Sequence, residues 1–320
     1  MRSIHHLKFF LTSAVVLALT LILAVSSAIS ALPSQAGSTS TAAIVFGVGS
    51  PAINAERSGT SIGVMAGGTL YVFDAGPGVE RRIMESTSKL AERNVRRLGP
   101  VFISHLHADH TVGLAALLTH HSMGPGSLLG LGGADLPIYG PPAAKGALGI
   151  REVMDHLRAA FFSTVTADGI RAEELTGQDG PQFHTIDLRA GVVFGDANVT
   201  VTALPVSHKT PVAFGFRIQT ADRVIVISGD TRPVEAVIQA CNGCDLLFHE
   251  VYGLEYGPNG PTGNAQGHTS AAELGELARQ ARPKRLVIYH DARAPQKEAL
   301  EAIRKSFSGE VTFARDLDIF

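Results

Sequence analysis

The sequence predicts an α/β fold, in which strands and helices alternate along one chain. Short runs rich in Val, Ile and other β-branched residues recur, and segments with helical periodicity separate them. Several of these runs end directly at a His or an Asp. Such an alternation favours sheets that are covered by helices.

The predicted elements follow one another in a regular order. We expect strands near residues 43–48, 62–66, 69–74, 101–104, 137–139, 199–204, 214–219, 223–228, 246–249 and 285–289. We expect helices near 78–98, 111–120, 143–162, 232–241, 270–281 and 294–307. Two irregular segments, near 122–135 and 164–182, are expected to shape a binding pocket, because long loops on a rigid scaffold often do so.

Residues 1–30 have the layout of a signal peptide. Arg2 and Lys8 precede an uncharged stretch of 17 residues, Phe9–Val25, and small residues follow up to Ala36. We expect cleavage between positions 28 and 36, which would leave 37–320 as one globular domain of a periplasmic or secreted protein. Without cleavage the leader would be a membrane anchor, since 17 residues is the lower limit for a spanning helix.

The charge balance predicts small partners. Loss of Arg2 and Lys8 takes the formal net charge from −2 to about −4, and a broad basic surface is absent. We therefore expect no nucleic acid partner and, after cleavage, no membrane contact, while a homodimer stays open. Cys241 and Cys244 form a Cys-x-x-Cys pair, for which a disulfide and two buried thiols both remain open.

A dense group of metal-ligand residues follows the strand predicted at 101–104. Residues 105–110 read His-Leu-His-Ala-Asp-His. The rings of His105 and His107 point to one side of an extended chain, and Asp109 and His110 can turn towards a second ion. Imidazole and carboxylate ligands suit Zn²⁺ and, less selectively, Fe or Mn. The pattern predicts two metal ions.

Three later strands end in ligand residues. The runs at 199–207, 224–229 and 285–289 lead directly into His208, Asp230 and His290. Together with the residues at 105–110, these side chains complete two coordination spheres, with Asp230 placed to bridge the ions.

Longer motifs occur in a fixed order along the chain. They lie at 73–78, 104–114, 228–233, 246–250 and 267–272, and in the strand that ends at His290. In this order they resemble the metallo-β-lactamase superfamily and, within it, the ribonuclease Z and arylsulfatase-like branch. The resemblance implies a four-layered αβ/βα sandwich with the metal site at one edge, between the two sheets.

The resemblance also implies a role for each residue of the site. It assigns His105, His107 and His208 to one zinc ion, Asp109, His110 and His290 to the other, and Asp230 to both. For Asp74, two roles stay open: support of the histidine loop by hydrogen bonds, and capping of the turn that follows it.

The catalytic group implied by the resemblance adds a proton donor to the metals. His268 would protonate the leaving group, Glu250 would hold its imidazolium, and His249 would orient nearby groups or contact the substrate. Asp109 is assigned to this catalytic group as well as to the metal ligands. The alternative for His268 is an exposed residue at a helix N-terminus.

The chain departs from ribonuclease Z between His208 and Asp230. Only 22 residues separate them, which leaves room for a hairpin but not for the basic arm that grips transfer RNA in that family. We therefore predict an exported dinuclear zinc hydrolase that cleaves small phosphodiester or aryl sulfate esters with a metal-bound hydroxide. The alternatives are a ribonuclease Z-like endoribonuclease, a β-lactamase or lactonase, and a non-catalytic metal-binding protein.

Overall fold

The computed structural model describes residues 40–52, 54–122, 135–162, 182–257, 260–292 and 294–320. The predicted leader and its cleavage site lie outside these residues, as do most of the two loops predicted at 122–135 and 164–182. Of the helices in the described ranges, none combines the length and apolar character that crossing a bilayer requires.

The first of two mixed sheets has the strand order β1-β2-β3-β4-β5-β6. Its strands are β1 (Ala42–Gly47), β2 (Ser61–Ala66), β3 (Thr69–Phe73), β4 (Arg97–Phe102), β5 (Leu136–Gly140) and β6 (Phe183–Asp187). The pairs β1–β2 and β2–β3 are antiparallel, and the neighbours from β3 to β6 are parallel. The carboxyl ends of β3 and β4 therefore meet at one edge.

The second sheet has the order β13-β12-β11-β10-β9-β8-β7. Its strands are β7 (Gly191–Gly195), β8 (Thr200–Pro205), β9 (Phe214–Gln219), β10 (Val224–Ile227), β11 (Leu246–Tyr252), β12 (Arg285–Ala292) and β13 (Glu310–Phe313). Neighbours from β7 to β10 are antiparallel, and those from β10 to β13 are parallel.

Helices cover the outer faces of both sheets. They are α1 (Val79–Glu85), α2 (Thr87–Glu92), α3 (Ala108–Thr111), α4 (Leu114–Ser122), α5 (Ile150–Phe161), α6 (Glu235–Cys241), α7 (Ala271–Ala281) and α8 (Gln296–Arg304). A short 3₁₀ helix at Gly263–Gly267 precedes α7.

Three apolar cores hold four layers together. The middle core lies between the sheets, where Phe73 and Phe102 stack at 5.0 Å between ring centres and Phe216 packs 5.3 Å from Phe73. A second core joins the first sheet to α1, α4 and α5, and a third joins the second sheet to α6, α7 and α8. The predicted four-layered α/β arrangement is confirmed.

Two predicted helices have different bounds. The helix expected at 78–98 is broken at Ser86, whose hydroxyl donates to the carbonyl of Ile83, and Asn94 with a φ of 58° turns the chain towards β4, which begins at Arg97. The helix expected at 143–162 begins only at Ile150. The residues before it form a tight turn, in which Ala144 and Ala147 exchange backbone hydrogen bonds.

Three strands were not expected from the sequence. They are β6, β7 and β13, and each of them is partly exposed. β6, β7 and β13 lie at sheet edges, where a strand pairs with only one neighbour and needs fewer apolar side chains. The alternation of apolar and polar residues in their sequences is therefore weak.

Of the two alternatives for the cysteines, the structure has the disulfide. Cys241 at the end of α6 is bonded to Cys244, and both are buried. The bond closes a short loop that leads into β11.

Gly275 lies where α7 meets α8, and a Cβ atom there would be 2.6 Å from the carbonyl oxygen of Ile303. We expect Gly275→Ala to lower the free energy of unfolding by about 1–3 kcal/mol, because the backbone of α8 must shift. In an unconstrained helix the same change would stabilise by about 1 kcal/mol. Chemical denaturation measures which effect dominates.

Gly195→Ala is the matched control, since nothing lies within 4 Å of a Cβ at that position. We expect its effect to stay within about 0.5 kcal/mol. If Gly275→Ala were no more destabilising than this control, α7 and α8 could not be packed as closely as described.

Candidate metal centre

The histidine-rich loop after β4 is tied to the end of β3 by Asp74. One carboxylate oxygen of Asp74 accepts from the backbone N–H of Ser104 at 2.7 Å, and the other accepts from the Ser104 hydroxyl and from His110 Nδ1, both at 2.8 Å. Asp74 is buried and has a φ of 60°, which turns the chain sharply. Of the two roles left open for Asp74, these contacts favour support of the loop.

The first group of ligand atoms combines two segments of the chain. His107 Nδ1 lies 3.0 Å from His105 Nε2 and 3.2 Å from His208 Nε2. His208 donates from Nδ1 to the carbonyl of Gly267 at 2.8 Å, which leaves Nε2 free to coordinate. Burial lowers the pKa of His208 to about 4, so its ring is neutral near pH 7, as a metal ligand must be.

The second group lies on the other side of the same loop. Asp109 Oδ2 is 3.1 Å from His290 Nε2 and 3.6 Å from His110 Nε2. His290 has a φ of 51°, an uncommon value for a residue other than glycine, at the point in β12 where its side chain enters the site. The ligand atoms of each three-residue group lie within 4.8 Å of one another and could hold a metal ion.

Asp230 lies between the two groups. Its Oδ1 is 3.5 Å from His110 Nε2, and its Oδ2 is 3.5 Å from His290 Nε2 and 4.0 Å from His105 Nε2. Burial raises the pKa of Asp230, but the surrounding histidines outweigh it and hold the pKa well below the ordinary value. The carboxylate is therefore ionised and faces both groups.

Unpaired buried atoms indicate that this donor set suits metal ions. Asp230 Oδ1 and His110 Nε2 are buried without a hydrogen-bond partner. A buried polar atom in this state is costly, and the cost disappears when a cation accepts its lone pair. Nitrogen and carboxylate oxygen donors match Zn²⁺, and less selectively Fe or Mn.

His268 and Glu250 form an ion pair beside Asp230. His268 Nδ1 lies 3.0 Å from Glu250 Oε1, which also accepts from the backbone N–H of Thr231 at 3.0 Å. Burial lowers the pKa of His268, but the carboxylates of Glu250 and Asp230 outweigh it and raise the pKa above its ordinary value. His268 is thus not a free helix-end residue, and its ring lines the cleft above the two groups.

Residues that the sequence analysis did not single out hold His268 in place. The ring of Tyr252 stacks on the imidazole at 4.9 Å, with 14° between the planes. Arg232 Nη1 and the Tyr256 hydroxyl donate to the backbone carbonyl of His268 at 2.8 and 2.9 Å. Tyr252 could have been found, because it lies two residues after Glu250 on β11 and so shares its face.

The structure places His249 away from the cleft. Its ring is fully buried on the opposite face of β11, and Nδ1 donates to the carbonyl of Glu250 at 2.8 Å. Burial lowers the pKa of His249 to about 4. Of the two roles expected for His249, orienting Glu250 agrees with this position and contact with substrate does not.

The cleft has a volume of about 500 Å³ and opens directly above the ligand groups. His107, Asp109, His208, Asp230 and His290 contribute to its floor. Its walls include Ser50–Ala52, Lys209, Tyr252 and Asn264. A cavity of this size accommodates a small molecule or one unit of a polymer.

Comparisons with known proteins agree with this geometry. A family model described as a beta-lactamase superfamily domain matches residues 69–290, which include every residue of the two ligand groups. The ribonuclease Z of Methanothermobacter thermautotrophicus is 28% identical over 82% of this chain and 91% of its own. The ribonuclease Z of Mycobacterium bovis is 28% identical over 85% of this chain and 95% of its own.

Solved structures show the same fold. The metallo-beta-lactamase fold protein YhfI from Bacillus subtilis superimposes with a TM-score of 0.63 at 20% identity, covering 88% of this chain and 98% of its own. The short form of human tRNase Z superimposes with a TM-score of 0.58 at 23% identity, covering 87% and 98%.

We expect the purified protein, after chelation and reconstitution, to bind about two zinc equivalents, because two complete N/O donor groups are present. His110→Ala should lose about one of them, since His110 belongs to the group that contains Asp109 and His290. Elemental analysis measures the stoichiometry. Thermal unfolding with and without zinc measures the linked stabilisation without any need for turnover.

His156→Ala is the control, because His156 is exposed on α5 and belongs to neither ligand group. It should bind as much zinc as the unchanged protein. A single tightly bound zinc in the unchanged protein would contradict the two-ion arrangement.

Proposed function

We propose that this chain cleaves phosphodiester bonds, with RNA as its substrate. The chain belongs to the beta-lactamase superfamily and is a hydrolase of its ribonuclease Z branch. The ion pair of His268 and Glu250, which borders the cleft beside Asp230, is the observation that carries this proposal. The names of the relatives, ribonuclease Z, support the same substrate class.

The ligand groups assign the metal positions in this proposal. His105, His107 and His208 would hold one zinc ion, Asp109, His110 and His290 would hold the other, and Asp230 would contact both. When bound, two such ions supply an activated water and neutralise the charge of the phosphate. Asp74 keeps the loop in position, because its carboxylate joins Ser104 to His110.

The proton donor separates the candidate substrates. The alkoxide that leaves from a ribose phosphodiester is strongly basic and needs a proton as the bond breaks, whereas nitrophenolate does not. His268 has a raised pKa, and its Nδ1 is held by Glu250, so Nε2 is the atom that can deliver a proton to the substrate. An aryl sulfate leaves as a phenolate, which gains less from such a donor. This favours the phosphodiester over the sulfate.

The proposal of RNA as substrate replaces the expectation from the sequence that the protein has no nucleic acid partner. That expectation conflicts with relatives named ribonuclease Z, although these are only 28% identical. The negative net charge of the chain argues against RNA binding, because nucleic acid binding relies on neutralising phosphates with Lys and Arg. Lys209 is a cationic side chain at the wall of the cleft and would meet a phosphate next to the scissile one.

A second candidate is a small phosphodiester. Between His208 and Asp230 the chain forms only the hairpin of β9 and β10, in which Thr220–Arg223 is the turn, so this interval holds no arm for gripping a folded RNA. A nucleotide diester would need no such arm.

Export remains part of the proposal. The sequence of residues 1–36 supports it, and so does the disulfide of Cys241 and Cys244, because disulfides persist in oxidising compartments. An exported enzyme would meet RNA fragments and nucleotide diesters rather than precursors of transfer RNA.

We expect His268→Ala to reduce kcat for dinucleotide or RNA substrates by about 10²–10⁴-fold, because the ribose alkoxide would leave without a proton. The same variant should hydrolyse bis(4-nitrophenyl) phosphate with a much smaller loss. His156→Ala serves as the control on both substrates. Equal losses on both classes would point to a structural role for His268.

A substrate panel tests the proposed function directly. We expect zinc-loaded protein to hydrolyse bis(4-nitrophenyl) phosphate and a short RNA at least about 100-fold faster than nitrophenyl sulfate, a lactone or a cephalosporin. Both diesters would present a tetrahedral phosphate anion to the two metal positions, and the leaving oxygen of the RNA would in addition use His268. Initial rates on one preparation provide the comparison. Cleavage of the small diester without the RNA would support the second candidate, and a preference for the sulfate or the cephalosporin would contradict both.

A further inference from the structure

A second, smaller groove adjoins the metal centre on the side of His107. It has a volume of about 100 Å³ and is lined mainly by apolar side chains, which include Leu106, Pro141, Pro142, Leu148, Pro211 and Val212. His107 lines both this groove and the main cleft, so the two adjoin at one residue of the first ligand group.

The lining carries no carboxylate, ammonium or guanidinium group. Its polar side chains are His107 and Thr210, and the Thr210 hydroxyl already donates to the carbonyl of Val212 at 3.1 Å. An occupant would therefore gain little from hydrogen bonds and much from apolar contact. The proline rings at three positions offer C–H groups that can pack against the face of an aromatic ring. The volume approaches that of a buried cavity of roughly 150 Å³ that accommodates benzene, and an open groove needs to cover only part of a ring.

Leu148 stands at this groove on a rigid support. Its side chain is 52% exposed, and it directly follows the turn closed by the hydrogen bonds between Ala144 and Ala147. Gly149 comes next and is the N-cap of α5, and its N–H donates to the Glu152 carboxylate at 2.9 Å. A single exposed leucine is common on protein surfaces. This one lines a groove that adjoins the metal centre, and it is held by a turn and a capped helix.

The position of the proton donor decides which part of a substrate reaches the groove. His268 lines the main cleft and does not line the groove, so the leaving oxygen must lie towards His268. The other substituent on phosphorus, which the product retains, is then directed towards His107 and the groove.

We propose that this groove binds a planar aromatic ring on the retained substituent of the phosphodiester, which is either a nucleobase or an aryl group. The inference rests on the proposed function for the identity of the reacting group. It adds a preference that the metal centre cannot provide, because bound ions would interact with the phosphate and not with its substituents.

Three diesters with the same 4-nitrophenolate leaving group test the proposal. The retained substituent is methyl, phenyl or uridine, so differences between the three report on that substituent alone. We expect the KM of the phenyl or the uridine diester to be about tenfold lower than that of the methyl diester, because a ring buries apolar area. Whichever of the two is lower identifies aryl group or nucleobase as the occupant.

Leu148→Ala should raise the KM of the preferred aromatic diester by about three- to tenfold and leave kcat and the methyl diester unchanged. Val192→Ala is the matched control, because Val192 is 71% exposed on β7 and does not line the groove. Leu148 is exposed, so its truncation leaves the core intact.

Binding provides a readout that does not need turnover. Calorimetry of zinc-loaded protein with methyl phosphate, phenyl phosphate and uridine 5′-monophosphate should show the same order of affinity and the same loss in Leu148→Ala. If no diester is hydrolysed, the proposed function fails, and the calorimetry alone decides on the groove. Equal KM values and equal affinities for methyl and aromatic ligands would overturn the proposal that the groove binds an aromatic ring. They would not contradict phosphodiester hydrolysis.

Discussion

The buried carboxylate of Asp230 is the group around which the rest of the site is arranged. Burial of a charge is expensive unless other charges compensate for it, and the histidines at 105, 110 and 290 approach the carboxylate to within 4.0 Å. These neighbouring histidines still leave Asp230 Oδ1 and His110 Nε2 without a hydrogen-bond partner. Two cations in this position would balance the carboxylates and use the free lone pairs, so metal binding and stability of the fold are linked.

The fold brings distant segments to this carboxylate by joining strand ends from both sheets. Gly229 shows how closely the sheets approach, since a Cβ atom there would lie 2.6 Å from the carbonyl oxygen of Phe214 and 3.3 Å from Ser104 Cβ. Its φ of 61° is also a value that glycine adopts without strain. A larger residue would separate Asp230 from the loop that Asp74 supports. The small residue before the bridging carboxylate is therefore part of the metal centre.

Sequence patterns predicted which residues meet at the candidate metal centre, because these residues follow apolar strands and the ends of those strands lie at one edge of the layered sheets. They predicted the surroundings of His268 poorly. Arg232 and Tyr256 reach its carbonyl from separate loops. Leu148 lines the small groove beside His107 only because a turn interrupts the expected helix at 143–162. Sequence patterns also did not predict the edge strands β6, β7 and β13, because partly exposed strands show little alternation of apolar and polar residues.

His268, the proposed proton donor, and Asp230 are joined by one hydrogen-bond network. Asp230 is followed by Thr231, whose backbone N–H donates to the same Glu250 oxygen that holds His268. Thr269, next to His268, donates from its backbone to that oxygen as well and from its hydroxyl to the carbonyl of Thr231. A displacement of Asp230 would therefore also move His268. One buried network thus sets the distance between Asp230, at the candidate metal site, and His268, the proposed proton donor, and the proposed hydrolysis would depend on this distance.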